Sequence, residues 1–374
     1  MPRVAVIHAV ARAGGMSRRV RAWHDLLGAQ GIETVDLPVF DEGSRLRPGF
    51  DHLVDVARGL AAPETLAWAG LPVLRALERA APDAVVVASL RAFDRRIVGL
   101  APRVVLDLID LMSSSYRQRS ALESRAPARW AWLALAQALG RVEGRLSESA
   151  ANCEVVAAGW PEAEAAGARW LPNLVQAPRA GRSRTVRGPE EGGVGGGPDL
   201  RDVLFVGTLD YLPNVAALRV LAEQVWPAVL KRRPGTTLRV AGRRPTTEVR
   251  RLARHLGAEL VVEFADPVAL YRATRVAVAP LPEATGSQYK VLDAAGLGVP
   301  LVISPSARAG FDPEFPIGAT ALGEPFAQAV VGLIEDPASA RSTADRARLE
   351  VRDRYGEERW APVAAEFALG PRTT

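Results

Sequence analysis

The chain predicts an α/β fold built as two successive units of alternating strands and helices, and three observations lead to it. Short apolar runs rich in Val, Ile and Leu alternate with helical-period stretches from the first residues onward. Those runs are apolar nearly throughout, the pattern of parallel strands covered on both faces. At 374 residues the chain is long for one domain and ample for two.

The first unit opens with VAVIHAV, followed by a helical period over 16 to 29 and the strand-like IETVDLPVF. Further buried-strand candidates are AVVVAS at 84 to 89, RVVLDLID at 103 to 110 and CEVVAA at 153 to 158, with helical stretches at 64 to 80 and 128 to 149 between them. Residues 176 to 199, QAPRAGRSRTVRGPEEGGVGGGPD, offer Gly, Pro and Arg and almost nothing apolar, the composition of a linker or mobile loop. Their GGVGGG lacks the G-x-G-x-x-G spacing and precedes a strand, so no dinucleotide chemistry is assigned to it. The second unit starts at VLFVGTLD and runs to AVVGLIE near 335, and the tail RDRYGEERWAPVAAEFALG is helical in period. The expected boundaries are 1–175, 176–199, 200–355 and 356–374.

Composition excludes several classes. Hydrophobic content of 48% and charged content of 24% are close to the globular average and rule out disorder along the whole chain. The net charge is +5, and of 47 basic residues only Lys231 and Lys290 are lysine. An Arg-dominated surface suits phosphate-bearing ligands or anionic head groups. The arginines are scattered and aromatic content is 6%, so nucleic acid is not the expected partner. Cys153 is alone, which removes intrachain disulfides and cysteine metal clusters. No H-x-x-x-H, Cys pair or D-x-D hairpin points to a metal site; of the four histidines, His8, His24, His52 and His255, His8 reads as a strand-end residue and His24 and His255 as packing or surface residues. MPRVAVIHAV lacks the form of a signal peptide, and no stretch reaches the ~18 apolar residues of a spanning helix. A cytoplasmic protein is expected.

The densest stretch is APLPEATGSQYKVLDAAGLGVPLVIS at 279 to 304. It sets a turn, a helix and a buried strand in the order a phosphate site needs. Thr285-Gly286-Ser287 is expected to open the helix with Ser287 as N-cap, leaving first-turn amides to face an anion. Lys290 and Asp293, three apart, share one face. On spacing alone, an amphipathic helix with solvated Lys and Asp accounts for them equally well.

This stretch, together with VLFVGTLDYLPNVAAL at 203 to 218, LRVAGRRP at 238 to 245 and LYRATRVAVAPL at 270 to 281, resembles the nucleotide-sugar-binding half of GT-B glycosyltransferases, in particular the retaining family 4 group. The likeness covers nearly the whole chain and is dense in its second half. It implies two Rossmann-like domains facing a cleft, with a C-terminal helix around Trp360 crossing back to the first domain. The family's helix carries Glu-x7-Glu or the variant GGGT-x-x-K-x-L-E; TGSQYKVLD places Asp293 at the second Glu and Thr285 at the first. Carried over position by position, the resemblance assigns donor contacts to Gly14 and Gly15 of the loop after the first strand, to Gly207 and Thr208, to Phe264 at the base, and to Gly286, Ser287, Gln288, Lys290 and Asp293. An Arg and a Lys soon after the Gly207 position are replaced by Asp210 and Asn214, so Arg243 and Arg244 are expected to neutralise the diphosphate. In the first domain Asp107 and Asp110 end a strand facing the cleft. Where relatives read D-L-H-D, this chain has Ile109 for the His. The expected catalytic groups are Lys290, Arg243 and Asp110.

The implied activity is transfer of a hexose from a nucleotide-diphosphate sugar to an acceptor hydroxyl, with retention, without metal and with no cofactor beyond the donor substrate. The acceptor would be a glycan, a lipid-linked molecule or a small molecule. Residues 116 to 132 mix Arg117, Arg119, Arg125 and Arg129 with Trp130 and Trp132, which would suit peripheral membrane contact, although a packed helix with solvated arginines explains them more simply. A catalytically silent nucleotide-binding partner protein stays open, as does a nucleotide-sugar epimerase on the same fold, whose carboxylate and histidine clusters the sequence does not display.

Overall fold

A computed structural model of the chain describes residues 1–9, 15–39, 71–123, 125–146, 152–175, 200–264 and 266–371. Gly14, His52 and the Gly/Pro/Arg-rich segment 176–199 lie outside the described residues.

Two parallel sheets form. The first contains β1 (Arg3–His8), β2 (Glu33–Pro38), β3 (Ala84–Ala88), β4 (Val104–Leu108), β5 (Cys153–Ala157) and β6 (Arg169–Trp170), in the order β2-β1-β3-β4-β5-β6. The second contains β7 (Arg201–Val206), β8 (Leu238–Gly242), β9 (Glu259–Val262), β10 (Thr274–Ala279) and β11 (Leu301–Ile303), in the order β11-β10-β7-β8-β9. Every residue of β3, β4 and β8 is buried; β3 is apolar throughout, while β4 and β8 each bury one charged residue, Asp107 and Arg239, in an otherwise uncharged run. In each sheet the order turns back beside the first strand, between β1 and β3 and between β7 and β10. Ligands of open parallel sheets bind in the crevice such a reversal opens at the strands' carboxyl ends.

The helix Gly15–Ala29 lays Val20, Trp23, Leu26 and Leu27 on the first sheet, and Leu71–Ala80 packs Val73, Leu74 and Leu77 into the cluster on its other face, which Leu139 and Val142 also join. Met112–Leu122 and Ala126–Gly144 form a helical hairpin; the second begins two residues earlier than its apolar period because Pro127 suits a first turn whose amide is unpaired anyway. The last helix, Glu357–Leu369, leaves the second domain and buries Trp360, Ala364, Phe367 and Ala368 among Val4, Val6, Trp23 and Val86 of the first. Trp160, Trp170, Tyr355 and Trp360 meet edge to face where the chain crosses between the domains, and the Val175 amide donates to the Tyr355 carbonyl at 3.0 Å. Among the described residues no helix is long and apolar enough to cross a membrane.

Candidate active site

The carboxyl ends of three adjacent strands, β10, β7 and β8, carry most of the expected donor residues. At the end of β7, Gly207 and Thr208 turn toward the helix Leu212–Val220. A Cβ on Gly207 would stand 2.6 Å from Asn214 Nδ2, so glycine is required by the side chain packed over it. Asn214 is buried and its amide donates to the Thr208 carbonyl at 2.9 Å. Arg243 and Arg244 follow β8, both exposed; Arg244 has φ +52 and pairs through Nε with Asp210 at 3.1 Å, while Arg243 has no side-chain partner among the described residues. Phe264, after β9, is half-buried against the small cluster around Leu204, Ala241 and Tyr271.

The turn after β10 departs from expectation. The helix is Tyr289–Gly296, and its N-cap is Gln288, with extended backbone and no side-chain capping bond. Ser287 is therefore not the cap. It is buried in the contact between domains, where its hydroxyl donates to the Ala158 carbonyl at 3.3 Å and Asn173 Nδ2 donates to its oxygen at 3.0 Å. Gly286, at φ +62, donates its amide to Glu162 Oε1 of the first domain at 2.7 Å. Gly159 and Gly310 close on it from either side, each too near for a Cβ. The turn that sequence assigns to an anion is thus held by a carboxylate of the first domain. Gln288 folds back, Nε2 donating to the Thr285 carbonyl at 2.9 Å.

Lys290 sits in the first turn of that helix, partly buried, with its ammonium donating to Asn214 Oδ1 and lying 5.0 Å over the Phe205 ring. Burial pushes its pKa down to about 7. No carboxylate pairs with it among the described residues. Asp293 is on the same face one turn on, but both its oxygens accept from the Arg18 guanidinium at 2.7 Å across the domain boundary. Arg18 also stacks 4.0 Å from the centre of the Tyr289 ring.

In the first domain the two aspartates separate. Asp107 does not face the cleft: it is completely buried, accepting from Arg19 Nε at 2.7 Å, Arg19 Nη2 at 3.0 Å and Trp23 Nε1 at 2.6 Å. Side chains alternate along a strand, and β4 turns this one toward the helix Gly15–Ala29. Asp110, beyond the strand, accepts from Ser115 Oγ at 2.6 Å, and Ser115 stands 3.3 Å from Thr285 Oγ1 of the second domain. Asp110 therefore lies at the mouth between domains. Glu162 and Glu143 are buried nearby; burial raises both pKa values, against the hydrogen bonds from the Gly286 and Ser113 amides respectively. His8 pairs with Asp36 at 2.9 Å. Among the described residues no cluster of three His, Cys, Asp or Glu side chains could hold a metal ion.

Gly15 begins the helix Gly15–Ala29, and nothing further is described of its loop. Sequence reasoning missed Arg18, Tyr289 and Glu162. Arg18 stood three residues beyond the noted Gly15, and its spacing was the available signal.

A family model described as "Glycosyl transferases group 1" matches residues 201–336, the span from β7 through the helix Glu324–Glu335. The second domain is a group 1 glycosyltransferase domain. Around it, the whole chain superposes on solved structures of GT-B architecture. Anabaena HepE, solved in complex with UDP, has a TM-score of 0.59 at 13% identity, covering 98% of this chain and 99% of that one. A glycosyltransferase from Rickettsia africae has a TM-score of 0.61 at 10% identity, covering 98% of each. An α,α-trehalose-phosphate synthase (UDP-forming) from Burkholderia vietnamiensis has a TM-score of 0.61 at 12% identity, covering 97% of this chain and 98% of that one. No curated protein sequence matches the chain. At these identities the likeness defines the fold: two Rossmann-like domains, with the glycosyltransferase domain second and the last helix returning to the first.

Proposed function

We propose that the protein transfers a sugar from a nucleoside-diphosphate sugar to an acceptor hydroxyl, with the diphosphate held at the carboxyl ends of β7, β8 and β10. The observation that carries this reading is Lys290. A partly buried cation whose partners are a neutral amide and an aromatic face is costly in the free protein. An anion arriving there would relieve the cost. Arg243, exposed and uncommitted at the end of β8, would supply a second charge, with its planar fork suited to phosphate oxygens. Charge on the diphosphate grows as the glycosidic bond breaks, so preorganised cations favour the transition state over the bound donor.

Gly207, Thr208, Arg244, Phe264 and Gln288 complete the donor side, with Gly14 and Gly15 beneath the sugar and Asp293 on the ribose. Gly286 and Ser287 support it from the domain contact. Asp110 at the mouth of the cleft is the first-domain group best placed to meet the acceptor hydroxyl. Retention and independence of metal follow the family 4 resemblance. UDP is the first nucleotide to try, because structural neighbours were solved with it. The hairpin Met112–Leu122 and Ala126–Gly144 leaves Trp130 63% exposed among exposed arginines, which favours an acceptor on, or linked to, an anionic surface.

The test is thermal shift against a panel of nucleotide sugars followed by release of nucleoside diphosphate in the presence of candidate acceptors. A ligand at 100 times its dissociation constant stabilises the fold by about 2.7 kcal/mol. Stabilisation by one donor class with turnover supports transfer. Stabilisation with no turnover on any acceptor would favour the silent binding protein.

A further inference from the structure

Asp293, expected on the donor ribose, is not held by its own domain alone. Arg18 reaches it from the first domain, 275 residues away in sequence, and gives each carboxylate oxygen one hydrogen bond of 2.7 Å. An ionised carboxylate has about four acceptor sites, so each oxygen keeps a lone pair for a further donor. The pair therefore does not consume the carboxylate. It fixes its rotamer, because a planar fork grips both oxygens at once. The fork is in turn set by the Tyr289 ring 4.0 Å from it. Arg18 Nε and the Tyr289 hydroxyl are both buried with no hydrogen-bond partner among the described residues, so the cluster retains polar capacity that its neighbours leave unmet.

We propose that Arg18 is a positioning residue for the nucleotide: from the first domain it aims the Asp293 carboxylate at the ribose hydroxyls, so that nucleotide binding and the approach of the two domains reinforce each other. The inference rests on the donor site proposed above. Its physical basis is reciprocity. Moving the domains apart breaks the Arg18 fork and frees Asp293 to rotate, so a ligand that prefers the fixed carboxylate must favour the closed arrangement by the same factor. A purely structural ion pair would stabilise the protein without regard to the ligand's ribose. An obstructing latch would make the nucleotide bind more tightly once removed.

The experiment is calorimetric titration of the full chain with UDP, GDP and ADP, continued with the tightest of them and with its 2′,3′-dideoxy analogue. The proteins are wild type, Arg18→Lys, Arg18→Ala, Asp293→Asn and the Arg18→Ala/Asp293→Asn double variant. Arg18→Ala should weaken the ribonucleotide about tenfold, the scale of one charge-assisted contact, while Arg18→Lys falls between because a point charge cannot reproduce the fork. Both proteins should bind the dideoxy analogue equally. The double variant should bind no worse than Asp293→Asn. Small-angle scattering should show nucleotide-induced compaction in wild type and none in Arg18→Ala. Equal or tighter ribonucleotide binding by Arg18→Ala overturns the proposal, and so does the same loss with the dideoxy analogue. Wild-type protein that binds ribo and dideoxy forms equally also overturns it, while leaving the transferase reading intact. Absence of binding by any nucleotide fails that reading itself.

Discussion

Lys290 donates its ammonium to the side-chain carbonyl of Asn214, and the same amide donates to the Thr208 carbonyl at 2.9 Å. Two residues 76 apart, one in the first turn of the helix after β7 and the other in the first turn of the helix after β10, thereby share one short relay across the point where the sheet order reverses. A neutral partner orients the lysine without discharging it. That leaves the charged form to be stabilised by an anionic ligand.

Lys290→Ala should lower turnover by about 2–4 kcal/mol in transition-state stabilisation, the scale of losing one preorganised stabiliser of developing charge. The folded protein should persist, since removing a partly buried cation leaves no unpaired charge behind. Steady-state kinetics with an identified donor checks it. Unchanged kcat/KM would take Lys290 out of the reaction.

The same lysine predicts a pH signature. Its pKa is lowered by burial from 10.5 to about 7, so between those values the unfolded chain carries a proton the folded one lacks. Stability of the free protein therefore gains from this group as pH rises through that window, and the cost of charging it is present in full below pH 7. A bound diphosphate restores the charge, so nucleotide binding at pH 8 should take up protons. Calorimetry in two buffers of different ionisation enthalpy measures the uptake, which should vanish in Lys290→Met. Equal apparent enthalpies for wild type in the two buffers would contradict it.

Asp293→Asn should weaken nucleotide affinity by about 1.5–3 kcal/mol, the worth of hydrogen bonds to a charged group. The substitution also loosens the Arg18 fork, so the loss should be read beside Arg18→Ala before it is assigned to the ribose. Wild-type affinity in the Asn variant would make Asp293 a domain-contact residue only.

Asp107→Ala should unfold the protein more readily by about 3–5 kcal/mol, because Arg19 would remain buried without its counter-charge. Arg19 also donates to the Pro172 and Leu171 carbonyls at 2.6 and 2.7 Å, so the first sheet, its first helix and the crossing segment loosen together. Urea denaturation reads the loss. A stable variant with impaired turnover would return Asp107 to the reaction.

Gly207→Ala should cost about 1–3 kcal/mol of stability, the scale of overpacking, and weaken nucleotide binding by displacing Asn214 from Lys290. Gly242→Ala should be harsher, since its Cβ would fall 1.8 Å from the Gly207 carbonyl oxygen, which is backbone and cannot step aside. Equal melting temperatures for the two variants would argue against the close crossing of β7 and β8 ends.

Sequence alone determined the two runs of alternating strands and helices, because burial of parallel strands on both faces writes itself locally as nearly apolar runs, as in β3. It also placed Gly207, Arg243 and Lys290 at strand and helix ends that the fold gathers at one edge of one sheet. Tertiary structure decided which side chains were free. Ser287 has the chemistry of an N-cap yet is buried against Ala158 and Asn173. Asp107 and Asp110 share one motif, and one meets Arg19 in the core while the other meets Ser115 at the cleft. Asp293 takes its partner from the opposite domain. Local spacing specifies the face of a strand or helix on which a residue stands, and it carries no information about what a segment hundreds of residues away will bring to that face.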